Sequence, residues 1–104
     1  MELSETDKDL LELVTLQVPW YMVCGEFHRK YGSPAKLAWR LMELREAGLL
    51  ELRGGEQPVS AEDLEADALA NNCYDDLEDT REPEWHIVAT DRGVERIEDR
   101  LDRE

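Results

Sequence analysis

The fold turns on the reading of one stretch, Ser33-Pro34-Ala35-Lys36-Leu37-Ala38-Trp39-Arg40-Leu41-Met42-Glu43-Leu44-Arg45-Glu46-Ala47-Gly48-Leu49-Leu50. Ser33 is a favoured helix cap, and Pro34 is favoured at the first helical position. Leu37, Leu41 and Leu44 recur at helical spacing and mark the face that seeks a core. Gly48 closes the helix. Leu49-Leu50-Glu51-Leu52-Arg53 then reads as a short strand, broken by Gly54-Gly55.

Just upstream, Trp20 to Tyr31 places Cys24, Phe27, His28 and Tyr31 on one side of a second helix, which Gly32 ends. Only two or three residues separate it from the helix that begins at Ser33-Pro34. A turn that short holds consecutive helices at a steep angle. Further upstream, Ser4-Glu5-Thr6-Asp7 has the form of a capping box with Asp in the third position. Leu10, Leu11, Val14 and Val18 follow it, and a first helix is predicted at about 5–17, stopped before Pro19.

Downstream, Trp85-His86-Ile87-Val88-Ala89 is rich in strand formers and predicts a second strand. Thr90-Asp91-Arg92-Gly93 leads from it into a last helix with Val94, Ile97 and Leu101 on one side. Between the strands lies a long acidic insert at 54–84. Within it Ser60-Ala61-Glu62-Asp63 starts another helix, with Leu64, Ala68 and Leu69 as a small apolar face and Asn71-Asn72 at its end. Tyr74 to Pro83 is expected to be loop.

The expected fold is therefore mainly α with a small β wing, in the order α-α-α-β-(acidic insert)-β-α, as one domain over 1–104. This order resembles the winged helix-turn-helix family, as in MarR-, PadR- and haloarchaeal phage-repressor-like regulators. Ser33 through Leu37 and Arg40 through Leu50 look like that family's recognition helix running into its first wing strand. Ala89-Thr90-Asp91-Arg92-Gly93 resembles the end of the wing, where a Thr caps the final helix. The resemblance implies a transcriptional regulator that places its third helix in the major groove of double-stranded DNA and acts as a two-fold dimer.

Composition bounds these expectations. The 104 residues have room for one core and not two. Twenty-six acidic residues against twelve basic ones give a net charge of −14. That charge is uneven: residues 28–50 are net positive, while 1–27, 51–84 and 85–104 are all net negative. The positive segment is where an anionic partner would bind. Arginine far outnumbers lysine, present only as Lys8, Lys30 and Lys36. Abundant carboxylates with scarce lysine suit a salt-loving source, and a GC-rich genome also favours arginine. Either accounts for the acidity without a partner.

With the leucines of the third helix turned inward, Ser33, Ala35, Lys36, Trp39 and Arg40 face outward. Arg40 is the leading candidate for a bidentate contact to guanine, and Lys36 for guanine or phosphate. Arg29 and Lys30, at the end of the second helix, are candidates for phosphate. The alternative is a solvated face with ordinary pairs such as Arg40 with Glu43. Trp39 is read as a stacking or interface residue, or as one packed under the insert. Val94, Ile97 and Leu101 form a narrow stripe in mixed charge, which suits a homodimer seam or packing onto the first helix of the same chain.

Cys24 and His28 have metal-compatible spacing, and Cys73 with His86 would complete a Cys₂His₂ set. Because the second pair is far apart in the chain, no metal and no cofactor are expected. The acidic insert reads as a solvated loop, a calcium site, a DNA mimic or a docking strip for a basic protein partner. The last is the rival function, a winged-helix interaction module. Asp75-Asp76-Leu77-Glu78-Asp79 lacks the alternation and central Gly of an EF-hand. No phosphate-cradling glycine loop, nucleophile elbow or His–carboxylate spacing stands out, so no enzyme is expected. Two cysteines, no apolar leader and no long apolar run point to a cytoplasmic protein without a membrane segment.

Overall fold

Ser4 caps the first helix as its spacing predicts. Its Oγ accepts from Asp7 N–H at 3.1 Å, and Asp7 Oδ2 accepts from Ser4 N–H at 2.9 Å. The helix, α1, covers Glu5–Leu13 and is shorter than its apolar stripe predicts. The computed structural model describes residues 2–54, 59–70 and 85–101. The stripe continues past α1 because Val18 and Pro19 leave the helical path to form a two-residue strand, β1, which the sequence does not announce. Pro19 lacks an N–H, so its place in an edge strand costs no ladder bond.

The second helix, α2, runs Trp20–Tyr31 and the third, α3, runs Pro34–Glu46, both as predicted. Gly32 joins them at φ +108°, a conformation that side chains with a Cβ rarely adopt. Ser33 caps α3, its Oγ accepting from Lys36 N–H at 3.1 Å. Next come β2 at Leu50–Arg53, α4 at Ala61–Ala70 and β3 at His86–Ala89. β3 lies between the other two strands in an antiparallel sheet ordered β1-β3-β2. Ile87 is paired with Val18 on one side and Leu52 on the other. The protein is thus mainly helical with a small antiparallel sheet.

The predicted last helix is broken. Asp91–Glu95 forms α5 and Glu98–Leu101 forms α6. Between them the chain tightens, with Arg96 N–H shared between the Arg92 and Gly93 carbonyls. The break turns Ile97 into the core, where it is only 1 % exposed. Leu10, Leu11 and Val14 of the first predicted stripe and Leu37, Leu41 and Leu44 of the third are buried in the core. On α2 the predicted face supplies buried Cys24 and Phe27 and half-buried His28 and Tyr31, while Trp20 and Val23, outside that face, are buried as well.

The insert contributes to that core. Val59, Ala61, Leu64 and Ala68 are buried, and the Trp20 indole N–H donates to the Leu64 carbonyl at 3.2 Å. α4 packs chiefly on α3. The loop expected at Tyr74 to Pro83 lies outside the described residues. Trp20→Phe removes the indole donor and leaves a void beside the Leu64 carbonyl, which keeps only its bond within α4. The expected cost is about 2 kcal/mol, read from the urea midpoint. A change under about 0.5 kcal/mol would mean that this bond does not hold α4 in place.

Candidate nucleic-acid interface

The turn between α2 and α3 gathers most of the predicted cationic residues. Arg29 and Lys30 occupy the last turn of α2 and are exposed. Lys30 Nζ sits 4.8 Å from the centroid of the Phe27 ring. Lys36 reaches back from the first turn of α3, its Cδ 3.2 Å from the point where a Cβ on Gly32 would stand. Three cations thus share one corner, and among the described residues none of them is in an ion pair.

Two of these charges have a local reason. Arg29 and Lys30 follow His28 in the last turn of α2, where the helix dipole favours positive charge. Lys36 has none. It lies at the amino end of α3, where the dipole disfavours a cation. α1, α4 and α5 open with carboxylates, whereas α2 and α3 open with none. A cation at a helix amino end that carries no carboxylate suits the approach of an anion.

Arg40 is the main correction. The sequence reading points it outward toward base edges. The structure turns it toward α1, where its Nε donates to Asp7 Oδ1 at 3.1 Å and its Nη2 to Asp7 Oδ2 at 2.6 Å. Nη2 also donates to the Glu2 carbonyl at 3.2 Å, and Nη1 to Glu43 Oε2 at 3.4 Å. The Tyr31 hydroxyl donates to Asp7 Oδ1 at 2.7 Å. A buried carboxylate that must be paired has claimed the guanidinium. Its fork is occupied, so Arg40 is a strut between α1 and α3 and not a base reader. The sequence does not reveal this partner, because Asp7 lies 33 residues away and reads locally as a cap.

The outward stripe of α3 consists of Lys36, Trp39, Glu43 and Glu46, all exposed. Trp39 is 56 % exposed and is not covered by the described part of the insert, residues 59–70. Ser33 and Ala35 are half-buried, and the Ser33 oxygen is engaged as the cap. The positive ridge read from residues 28–50 therefore contracts to the corner formed by Arg29, Lys30 and Lys36.

The predicted dimer stripe also changes. Ile97 belongs to the chain's own core and offers no surface to a partner. Val94 is half-buried, and the Leu101 side chain lies outside the described residues. Cys24 is buried, and a His28 ring nitrogen meets the Cys24 carbonyl at 2.6 Å. Cys73 lies outside the described residues, among which no group of three His, Cys, Asp or Glu side chains converges.

Two open grooves of 470 and 370 Å³ flank β2, and both include Gly48, Glu51 and Thr90. The Thr90 hydroxyl is engaged, donating to the Gly48 carbonyl and accepting from Gly93 N–H. Among the described residues no helix is long and apolar enough to cross a membrane. No protein-family model, no curated protein and no solved structure matches this chain.

Proposed function

We propose that this protein is a winged-helix module that binds double-stranded DNA through the α2–α3 corner. The observation that carries the reading is the arrangement of α1, β1, α2, α3 and β2 with β3 in the middle of the sheet, which leaves the outward face of α3 beside Arg29, Lys30 and Lys36. In this reading the first turns of α3 approach the major groove, Arg29 and Lys30 hold phosphate, and Lys36 meets phosphate or a guanine edge. Trp39 stands at the margin of the contact. Arg40 holds α3 at the correct angle without touching a base. The hairpin wing of the resemblance is replaced by a segment containing α4.

Polarisation titrations on a labelled duplex test the reading. Affinity falls as salt rises from about 50 to 200 mM, because bound phosphates release counterions. Replacing Arg29, Lys30 and Lys36 together by alanine weakens binding and lowers the log–log salt slope by about 2 to 3. Arg40→Ala leaves base preference unchanged once its loss of stability is allowed for. An absence of duplex binding across that salt range, or a triple variant with an unchanged slope, would remove the DNA assignment.

A further inference from the structure

The cationic corner uses only one end of α3. Its outer flank carries a second surface, of opposite charge. α4 runs back along α3, because Arg45, in the last turn of α3, donates from Nη1 to the carbonyl of Val59, just ahead of α4, at 3.3 Å. Ala61, Leu64 and Ala68 turn inward. The far end of α4 is therefore level with the first turns of α3, and there Leu69 is 61 % exposed. Helical spacing from the buried positions turns Leu69, Glu62 and Glu65 to the side on which α3 exposes Trp39.

Trp39 and Leu69 are two of the few large apolar side chains that the described residues leave exposed, and the core is complete without them. The charges flanking this face are mostly negative, with Glu62 and Glu65 on α4 and Glu43 and Glu46 on α3, and Lys36 stands at its edge toward the cationic corner. An aromatic anchor inside a charged rim is the composition of a recognition surface.

We propose that the outer face of the α3–α4 pair docks a basic amphipathic segment of a protein partner. Its apolar side chains cover Trp39 and Leu69, and its Lys or Arg side chains meet Glu62, Glu65 and Glu43. Charge complementarity selects this occupant. A second copy of the chain would set carboxylates against carboxylates, and a duplex would set phosphates against them. The proposal does not depend on the DNA reading. The two surfaces share only Trp39, so a docked partner would compete with DNA for the outward face of α3.

The intact chain supplies its own reporter. Of the three tryptophans, Trp20 and Trp85 are buried and Trp39 is exposed, so acrylamide quenching reads Trp39. The probe is a synthetic lysine–leucine peptide with its leucines on one helical face. The control has the same composition in scrambled order. The ordered peptide is expected to bind saturably and shield Trp39 from acrylamide, with the scrambled one at least about 10-fold weaker. Leu69→Ser, at an exposed position, weakens the ordered peptide about 10-fold. Glu62→Gln with Glu65→Gln weakens it severalfold and flattens its salt dependence. Replacing Arg29, Lys30 and Lys36 by alanine leaves peptide binding unchanged, so this test and the duplex test fail separately.

Equal binding of ordered and scrambled peptides overturns the proposal, because acidity alone would then explain the contact. So does an unaffected Leu69→Ser variant. Shielding of Trp39 produced by raising protein concentration alone, or by duplex DNA and not by peptide, assigns the face to a second copy or to nucleic acid instead.

Discussion

Asp7→Ala is expected to cost about 3 kcal/mol of folding free energy, measured by urea denaturation. Asp7 is 1 % exposed and is the only charged or polar residue buried among those described. Its carboxylate accepts four hydrogen bonds, from Ser4 N–H, the Tyr31 hydroxyl, and Nε and Nη2 of Arg40. Those donors come from the start of α1, the end of α2 and the middle of α3. Removing the carboxylate leaves a guanidinium and a phenol facing a partly buried void. Breaking a fully buried pair costs about 3–5 kcal/mol. Arg40 retains some access to water, with 23 % of its side chain exposed, which places the loss at the lower end.

The same site predicts a pH dependence. Burial by itself would raise the Asp7 pKa. The hydrogen bonds from Arg40, Ser4 and Tyr31, with the Arg40 charge, outweigh it and hold the carboxyl below its ordinary value. A carboxyl depressed on folding stabilises the protein above its unfolded pKa, about 4, and that contribution disappears as pH falls through the folded value. The stability gap between wild type and Asp7→Asn is therefore wide at neutral pH and narrows in acid below about pH 4. A gap that stays constant through the acid range would show that the charge of Asp7 is not what joins the helices. Tyr31 does not titrate in this window. Burial first, and then the Asp7 carboxylate, push its phenol well above the usual range, so it remains a donor.

Gly93→Ala is the second large effect, and here even the sign is informative. Gly93 lies in α5, and on an exposed helical site alanine would stabilise by about 1 kcal/mol. A Cβ at this position would stand 2.0 Å from the Leu49 carbonyl oxygen and 3.0 Å from its carbon. Both are backbone atoms and cannot swing aside. The same Leu49 carbonyl accepts from Thr90 N–H at 3.0 Å, and Thr90 Oγ1 caps Gly93 N–H at 3.1 Å. The Thr90-Asp91-Arg92-Gly93 motif thus presses the start of α5 onto the corner between α3 and β2. An added methyl forces that corner open, for about 3 kcal/mol or more. Thermal unfolding is expected about 10–20 °C lower than in the wild type. A melting temperature that rises would mean that the close approach does not exist in solution.

Both effects arise where a local motif does a second, distant job. Ser4-Glu5-Thr6-Asp7 is legible as a cap, and the cap is present. That Asp7 also claims Arg40 is not legible, because nothing near either residue encodes a contact across 33 positions. The candidate site suffered most from this. Arg29, Lys30 and Lys36 remained at one corner, while Arg40, the leading base reader, became an internal strut. Ile97 moved from an expected subunit seam into the core for a related reason. A stripe at helical spacing looks the same whether it faces another chain or its own, and only the break between α5 and α6 decided.

What the sequence determined by itself is the set of features closed within one helical turn or one strand: the Ser4 and Ser33 caps, the bounds of α2 and α3, the leucine stripes, and the strands read at 49–53 and 85–89, each within one residue of its observed start. Each depends on interactions three or four residues apart, or on side-chain alternation, so the neighbouring residues suffice to specify it. Tertiary structure alone decided the rest. β1 is two residues long and exists only because β3 offers it a ladder. The helix from Ser60 and its small apolar face were legible, but only the fold decided that Leu64 and Ala68 are covered while Leu69 is left exposed. The cationic ridge shrank because a buried carboxylate from the far end of the chain had to be neutralised. These outcomes depend on which surfaces meet once the chain has closed on itself, and a desolvated charge then takes whichever partner is within reach.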